Sequence, residues 1–227
     1  MDIELHYVEK GEGEPFIFLH GNGEDGTYFK NQIDYFQSRY RVIAVDTRGH
    51  GKSPRGEAPF TIEQFSCDLG DFLEAHCVSK AIISGFSDGA NIAMKFAIKH
   101  PDAVKALILN GGNLNAKGVK RTTQIPIEIG YRIASRFAAK SPEAKRNAEL
   151  LGLMVNEPNI SPCELAKITA PTLVICGTRD MIKEAHTKEI AANIPNATLK
   201  IIKGDHFIAN KNPAEFNRAV DEFLKTI

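Results

Sequence analysis

Apolar residues occur along the chain in short continuous runs, and most of these runs stop at glycine or at a polar turn. A run that is apolar at nearly every position favours a strand that is covered on both faces, as in a parallel sheet. A seventh segment, residues 3–8, alternates apolar and polar positions like a strand with one exposed face. The continuous runs lie at 16–19, 40–45, 81–86, 104–109, 171–176 and 198–202.

Amphipathic stretches with helical spacing separate these runs. In the clearest one, Thr61 and Gln64 form a capping box before apolar residues at 62, 65, 69, 72 and 73. Regular alternation of strands and helices predicts an α/β fold with a mostly parallel sheet and helices on both faces. The other predicted helices lie at about 27–38, 88–100, 183–193 and 213–225.

The alternation is interrupted between about residues 113 and 169. This segment has helical periodicity at 125–139 and 142–155 and no strand-like run. It is too short for an independent domain, so we expect one domain over 1–227 with a small helical cap above the carboxyl ends of the strands. We expect some large cap residues to line a substrate pocket, although all of them could instead pack the two helices together. The candidates are Tyr131, Phe137, Leu150, Leu153 and Met154.

Charge and cysteine content narrow the possible partners and compartments. The chain has 28 Lys and Arg against 28 Asp and Glu, which gives a formal net charge of zero and argues against nucleic acid or anionic membrane as partners. Four cysteines without a C-x-x-C pair predict free, buried thiols in a reducing compartment. Because no signal peptide or membrane-length apolar run is evident, we expect a cytoplasmic protein. No spacing of histidines and cysteines suits a metal, so we expect neither metal nor cofactor.

One turn in this pattern carries candidate chemistry. The strand at 81–86 runs into Gly85-Phe-Ser-Asp-Gly89 and then into a helix, so a G-x-S-x-G turn joins strand to helix. In such an elbow the glycines allow a strained backbone that lifts the serine hydroxyl above the sheet. Ser87 is therefore the candidate nucleophile, and the alternative is an ordinary Gly-Ser turn.

A serine nucleophile needs a base and an acid that orients the base. Among seven histidines, His206 follows the last strand and precedes the last helix, where the reactive edge of an open α/β sheet lies. His20 and His50 also follow strands, but glycines flank them and suggest a role in loop structure. His76 and His100 end helices, and His6 and His186 are expected at the surface.

Asp180 is the candidate acid because it follows the strand that resumes after the insertion. The resulting chain order is Ser, Asp, His, which suits this topology. Asp180 could alternatively cap the next helix. Asp46, Glu184 and Asp205 are weaker candidates for the acid.

An oxyanion that forms on a substrate carbonyl needs two hydrogen-bond donors. The N–H of Asp88, directly after the nucleophile, is one candidate. The other is expected from the glycine-rich loop His20-Gly-Asn-Gly23, and we assign it to Asn22.

Five motifs in order make the chain resemble the α/β-hydrolase fold superfamily. They are HGNG at 20–23, DTRGHGKS at 46–53, GFSDG at 85–89, PTLVICGTRD at 171–180 and GDHF at 204–207. The resemblance implies a sheet of about eight strands, the triad Ser87, Asp180 and His206, and an oxyanion hole at Asn22 and Asp88. Only one strand is evident before the strand that leads into the HG loop, where the family usually has two. Serine at position 87 argues against the dehalogenases and epoxide hydrolases of the superfamily, which carry aspartate there.

These observations predict a serine hydrolase of the carboxylesterase type. We expect it to cleave a small or medium uncharged ester, a small-molecule substrate, through an acyl-enzyme. A carbon–carbon hydrolase, a thioesterase or a perhydrolase would use the same triad, and a ligand-binding module with little turnover is the non-enzymatic alternative. The sequence leaves the oligomeric state open.

Overall fold

A seven-stranded, mostly parallel sheet forms the centre of the protein in the computed structural model, which describes residues 2–227. The strand order across the sheet is β1-β3-β2-β4-β5-β6-β7. The strands are β1 Tyr7–Lys10, β2 Pro15–Leu19, β3 Arg41–Val45, β4 Ala81–Phe86, β5 Val104–Asn110, β6 Thr172–Gly177 and β7 Ala197–Ile202. The helices are α1 Lys30–Phe36, α2 Ile62–Ala75, α3 Asp88–Lys99, α4 Arg121–Phe137, α5 Pro142–Asn156, α6 Glu184–Asn193, α7 Ile208–Lys211 and α8 Pro213–Leu224.

The predicted α/β class is confirmed, with seven strands where the resemblance implied about eight. Only the edge strand β1 is antiparallel, and it pairs Tyr7 with Val45 of β3. The alternating segment at 3–8 led us to place the first strand too early. The residues before Tyr7 instead lie alongside the loop that comes after β3. The carbonyl of His6 accepts a hydrogen bond there from the N–H of Asp46.

Strands β2 to β6 each contribute to two apolar layers because successive side chains point to opposite faces. In β2, Ile17 and Leu19 pack with α2 and α3, whereas Phe16 and Phe18 pack with α1 and α8. All four side chains are almost completely buried. The continuous apolar runs in the sequence therefore reflect a sheet covered on both faces.

The segment between β5 and β6 contains α4 and α5, as the break in the alternation predicted. These two helices pack mainly against each other. Helix α4 has only Gln124 and Ala134 buried. Helix α5 is tied to the body by Arg55, whose Nε and Nη2 donate to the two carboxylate oxygens of Glu149 at 3.0 and 2.8 Å.

Two expectations about side-chain burial are wrong. Cys67, Cys77 and Cys163 are exposed, and only Cys176 is buried; all four thiols are free. The apolar periodicity around Cys67 located a helix correctly but did not fix which side of the helix this residue occupies. His186 is not a surface residue either, because its side chain is 10% exposed and its Nε2 accepts from the N–H of Leu114.

Within residues 2–227, no helix has the length and apolarity that crossing a membrane requires.

A buried ion pair holds the loop after β3 against α2. Nε and Nη2 of Arg48 each lie 2.7 Å from an oxygen of Asp68, and these two side chains are 0% and 2% exposed. Asp2 binds the outer side of the same guanidinium. A buried charge loses hydration and therefore depends on its partner.

Replacing Arg48 by Met should lower the free energy of unfolding by about 3–5 kcal/mol, because Asp68 would remain buried without a counter-charge. Urea unfolding measures this change. The double variant Arg48→Met/Asp68→Leu should recover most of the loss, since neither charge then remains buried. A loss below about 1 kcal/mol for the single variant would contradict this account.

Candidate active site

The strand-to-helix elbow has the strained geometry that its glycines permit. Ser87 lies between β4 and α3 with φ 53° and ψ −117°, a region that a non-glycine residue rarely occupies. Its N–H donates to the carbonyl of Asn110 at 2.8 Å. A Cβ on Gly85 would collide with the carbonyl oxygen of Gly89 one turn later, which explains why this position requires glycine.

Close packing of α3 brings a second loop to the elbow. A Cβ on Gly89 would collide with the carbonyl oxygen of Leu19 and approach that of His20 to 2.6 Å. Because Gly89 has no side chain, α3 can lie directly against the end of β2. The HGNG loop that follows β2 is consequently beside the nucleophile.

His206 and Asp180 form a buried pair. Nδ1 of His206 lies 2.7 Å from Oδ1 of Asp180, and the side chains are 4% and 3% exposed. The N–H of Ile182 also donates to Oδ1, at 2.9 Å, which fixes the carboxylate. A carboxylate only accepts, so Nδ1 carries the proton and Nε2 of the neutral ring is an acceptor. Nε2 is buried and has no hydrogen-bond partner within residues 2–227.

The end of β5 places this imidazole at the elbow. Asn110 binds the backbone of Ser87, and the next residue, Gly111, has φ 65° and lies against the imidazole. A Cβ on Gly111 would be 2.6 Å from Cε1 of His206. The ring of Phe86, directly before the nucleophile, has its centroid 4.8 Å from that of His206. The backbone of the elbow and the imidazole are therefore neighbours.

The candidate oxyanion donors come from the two adjoining loops. Asp88 is the first residue of α3, and the first N–H groups of a helix have no intrahelical partner. Among residues 2–227, no acceptor for the N–H of Asn22 is found. The side chains of Asn22 and Asp88 are joined, because Nδ2 of Asn22 donates to Oδ2 of Asp88 at 2.9 Å.

Carboxyl groups dominate the electrostatics around the site. Burial raises the pKa of Asp88, an effect that hydrogen bonds from Asn22 and Asn91 partly oppose. Burial also raises the pKa of Glu24 to about 7, although its Oε2 accepts from the N–H of Gly21 at 3.1 Å. Nearby basic groups are engaged: Nζ of Lys120 donates to the carbonyl of Asp180 at 2.5 Å.

The other two histidines that follow strands, His20 and His50, stabilise loops through hydrogen bonds. Nδ1 of His20 lies 2.7 Å from the carbonyl of Gly21, and its Nε2 accepts from the N–H of Thr47. Burial lowers the pKa of His20 and lowers that of His50 to about 4. Both rings are therefore neutral. His20 connects the HGNG loop to the loop after β3, and His50 binds Thr47 and Arg48 within that second loop.

The three weaker candidates for the orienting acid have partners other than His206. Asp46 accepts from the N–H groups of Gly26 and Lys52 and lies 2.8 Å from His6. Glu184 forms an ion pair with Lys188, and Asp205 forms an ion pair with Lys211.

The five cap residues proposed for the pocket do not share one environment. Leu153 is 2% exposed and belongs to the main apolar core, and Phe137 is 48% exposed at the end of α4. Tyr131 packs near Gly152 of α5, so it holds the cap helices together. Leu150 and Met154 are half-buried, and the carbonyl of Leu150 accepts from Nδ2 of Asn22 at 2.9 Å. Only Leu150 of the five thus makes a hydrogen bond to a candidate site residue.

Sequence reasoning missed three contributors to the site. Glu24 follows the HGNG loop without a motif of its own, and Gly111 lies in an Asn-Gly-Gly turn that does not name His206 as its neighbour. The backbone carbonyl of Leu150 leaves no signature in the sequence. The glycine pair after β5 was the one available signal, because positive φ and close packing both select glycine.

The described residues contain no group of three or more His, Cys, Asp or Glu side chains arranged to hold a metal ion.

Fold and elbow define the class of protein. The model of the alpha/beta hydrolase fold family matches residues 14–150, which is more than half of the chain. The chain belongs to the α/β-hydrolase fold family.

Two relatives of known name match almost the whole chain. One is 3-oxoadipate enol-lactonase 2 of Acinetobacter baylyi, 27% identical over 99% of this chain and 94% of that protein. Another is 2-hydroxy-6-oxo-6-(2'-aminophenyl)hexa-2,4-dienoic acid hydrolase of Metapseudomonas resinovorans, 26% identical over 98% of this chain and 88% of that protein. By their names, the first of these similar proteins is a lactonase and the second is a hydrolase.

Solved structures show the same fold. A thermophilic esterase from Thermogutta terrifontis superimposes with a TM-score of 0.81 and 23% identity, covering 99% of this chain and 94% of that one. At this identity the likeness concerns the fold alone.

Replacing Gly111 by Ala should lower kcat/KM by about 100-fold or more, because the new Cβ must displace the imidazole and misplacement of a catalytic group by about 1 Å has that effect. Steady-state kinetics on a nitrophenyl ester measures it. Gly13→Ala is the matched control: Gly13 also has positive φ, but a Cβ there comes no closer than 3.7 Å to another residue. Equal losses in both variants would attribute the effect to backbone strain.

Glu24 should make stability depend on pH. Its pKa in the folded protein, about 7, is above the ordinary 4.5, so the protonated carboxyl favours folding. That contribution is complete below pH 4.5 and is lost as pH rises through 7. Glu24→Gln should therefore raise the free energy of unfolding by about 1 kcal/mol at pH 8, with solvent screening of this half-buried group taken into account, and leave it nearly unchanged at pH 4. Urea unfolding at both pH values checks the sign, which a destabilised variant at pH 8 would contradict.

Proposed function

We propose that the protein is a serine hydrolase that cleaves a small or medium uncharged carboxylic ester through an acyl-enzyme intermediate. The observation that carries the proposal is the buried His206–Asp180 pair, whose Nε2 has no partner within residues 2–227 and whose ring adjoins the strained Ser87 elbow. Buried polar atoms are usually hydrogen-bonded, so an unpartnered imidazole nitrogen on a ring that adjoins the Ser87 elbow suits proton transfer.

Each residue has one role in the proposed mechanism. Ser87 Oγ attacks the ester carbonyl carbon while His206 Nε2 takes the hydroxyl proton. Asp180 keeps the proton of His206 on Nδ1 and stabilises the imidazolium that forms. The N–H groups of Asn22 and Asp88 bind the oxyanion of the tetrahedral intermediate. His206 then protonates the leaving alcohol, and a water molecule activated by the same imidazole releases the acid and regenerates Ser87.

The charges around Ser87 support an uncharged substrate. The carboxyl group of Asp88 accepts from the side chain of Asn22, and that of Glu24 accepts from the N–H of Gly21, the residue before Asn22. Lys120 is engaged with the backbone of Asp180, and Arg55 forms a bidentate pair with Glu149. A substrate carboxylate would thus meet acidic groups, while these two basic groups are paired.

Carbon–carbon bond hydrolysis is the second candidate. It is supported by the relative from Metapseudomonas resinovorans, named a dienoic acid hydrolase, which aligns over 98% of this chain. The enol-lactonase relative acts, by its name, on a cyclic ester, and it supports the hypothesis that this protein hydrolyses an ester. Thioesterase, perhydrolase and weakly catalytic binding functions would use the same residues.

We further propose a small-molecule substrate without a nucleic-acid or membrane partner, in a reducing cytoplasmic compartment. A formal net charge of zero and four free thiols support this assignment.

Rates on nitrophenyl esters from C2 to C16 test the ester function. Each methylene that fits the pocket adds up to about 0.8 kcal/mol of burial, so kcat/KM should rise a few-fold per carbon, pass through a maximum at short to medium length and then fall. A hemisuccinate ester should be slower than the neutral ester of equal length. Preference for an acyl-CoA, a rate still rising at C16, or turnover only of a dienoic carbon–carbon substrate would refute the ester assignment.

Fluorophosphonate labelling supplies the control for the nucleophile. The wild-type protein should take up one label on Ser87, and Ser87→Ala should take up none and lose esterase activity. Intact mass and peptide mapping locate the label. Label on another serine, or equal labelling of the variant, would remove Ser87 from the mechanism.

A further inference from the structure

Asp88 presents an energetic problem for an oxyanion site. Its carboxyl group is on the residue whose N–H is a candidate oxyanion donor, and the residue is only 8% exposed. If this carboxyl group is ionised, it repels a developing oxyanion, because few water molecules screen the interaction. An uncharged residue at this position would avoid that cost, so the carboxyl group requires an explanation from its contacts.

Both carboxylate oxygens of Asp88 accept from side-chain amides. Oδ2 accepts from Nδ2 of Asn22 at 2.9 Å, and Oδ1 accepts from Nδ2 of Asn91 at 3.3 Å. Asn91 is one turn further along α3 and is 1% exposed. It is fixed in turn by Asn113, whose N–H donates to Oδ1 of Asn91. Asp88 is therefore held in place from the helix side.

The contact to Asn22 fixes the orientation of that residue. Its amide nitrogen also donates to the carbonyl of Leu150 in α5 at 2.9 Å. Carboxylate and carbonyl oxygens are both acceptors, so only the NH₂ group can satisfy them, and the amide cannot be flipped without losing both bonds. One side chain thus connects the HGNG loop, the elbow and the cap.

We propose that Asp88 is a positioning residue that aligns the backbone N–H of Asn22 as the second oxyanion donor, with the Leu150 carbonyl as the other fixed point. This inference rests on the proposed hydrolase function. The two donors lie on separate loops, after β2 and after β4, and the Asn22–Asp88 side-chain bond joins those loops at the donors themselves. The bond to the Leu150 carbonyl makes the alignment depend also on the position of α5.

Asn22→Ala and Asp88→Ala test the inference, because each removes the link and leaves both backbone N–H groups. A displaced donor should lower kcat on a nitrophenyl butyrate by about 10- to 100-fold, below or at the effect of deleting an oxyanion donor outright. KM should change less than about 3-fold, since the uncharged ground-state carbonyl gains little from the donors. Affinity for phenylboronic acid, which forms an anionic tetrahedral adduct with serine, should fall in parallel with kcat.

The double variant and a conservative variant separate positioning from general loss of structure. Asn22→Ala/Asp88→Ala should be no slower than the slower single variant, since both changes remove one link. Asp88→Asn should recover most of kcat because its amide oxygen can still accept from Asn22. If Asp88→Ala does not fold, Asn22→Ala together with Asp88→Asn decides the question.

Glu149→Gln is the matched control for the cap. It weakens a different contact of α5, the ion pair with Arg55, and leaves both the bonds of Asn22 and the core packing of Leu153 in place, so α5 should keep its position. We expect its kcat within about 2-fold of wild type. An unchanged kcat in Asn22→Ala, or an equal loss in Glu149→Gln, would overturn the inference. If wild-type protein neither labels on Ser87 nor hydrolyses esters, the proposed function fails instead, which is a different outcome.

Discussion

Close approach of α3 to the carboxyl ends of β2 and β4 is the constraint on which the site depends. It requires glycine at 85 and 89, because a side chain at either position would collide with backbone. The same approach imposes the positive φ of Ser87 and brings the HGNG loop beside it. Two loops from different parts of the chain can supply donors to one point only because this helix lies directly against the sheet.

Polar groups then complete the site in a mostly apolar interior. Asp180, His206, Asp88 and Asn91 are all nearly buried, and each is held by at least one hydrogen bond. Buried polar groups are costly without partners, so such a network has few alternative arrangements. Nε2 of His206 is one of the buried side-chain atoms within residues 2–227 that have no hydrogen-bond partner, and it belongs to the ring that adjoins the Ser87 elbow.

The elements that could be predicted from sequence are those governed by local rules. Continuous apolar runs located the parallel strands β2 to β7, and Thr61 caps α2 as expected, although the Gln64 side chain binds Asp68 and does not complete the capping box. The edge strand β1 was placed too early, because alternation at an exposed edge is weakly constrained. Exposure of Cys67 and burial of His186 escaped prediction for a related reason: periodicity identifies a helix better than it identifies the neighbours of one side chain.

By itself, the sequence determined the fold class, the elbow and the order of the three candidate catalytic residues. The fold class follows from the periodicity of apolar residues, the elbow from the two glycines around Ser87, and the order from the residues that come directly after strands. Only the tertiary structure decided which groups meet: Gly111 against His206, Asn22 between Asp88 and Leu150, and Phe137 exposed on the cap. These contacts join segments up to 128 positions apart. Their geometry depends on how helices and loops pack over the sheet, and no local pattern along the chain encodes that packing.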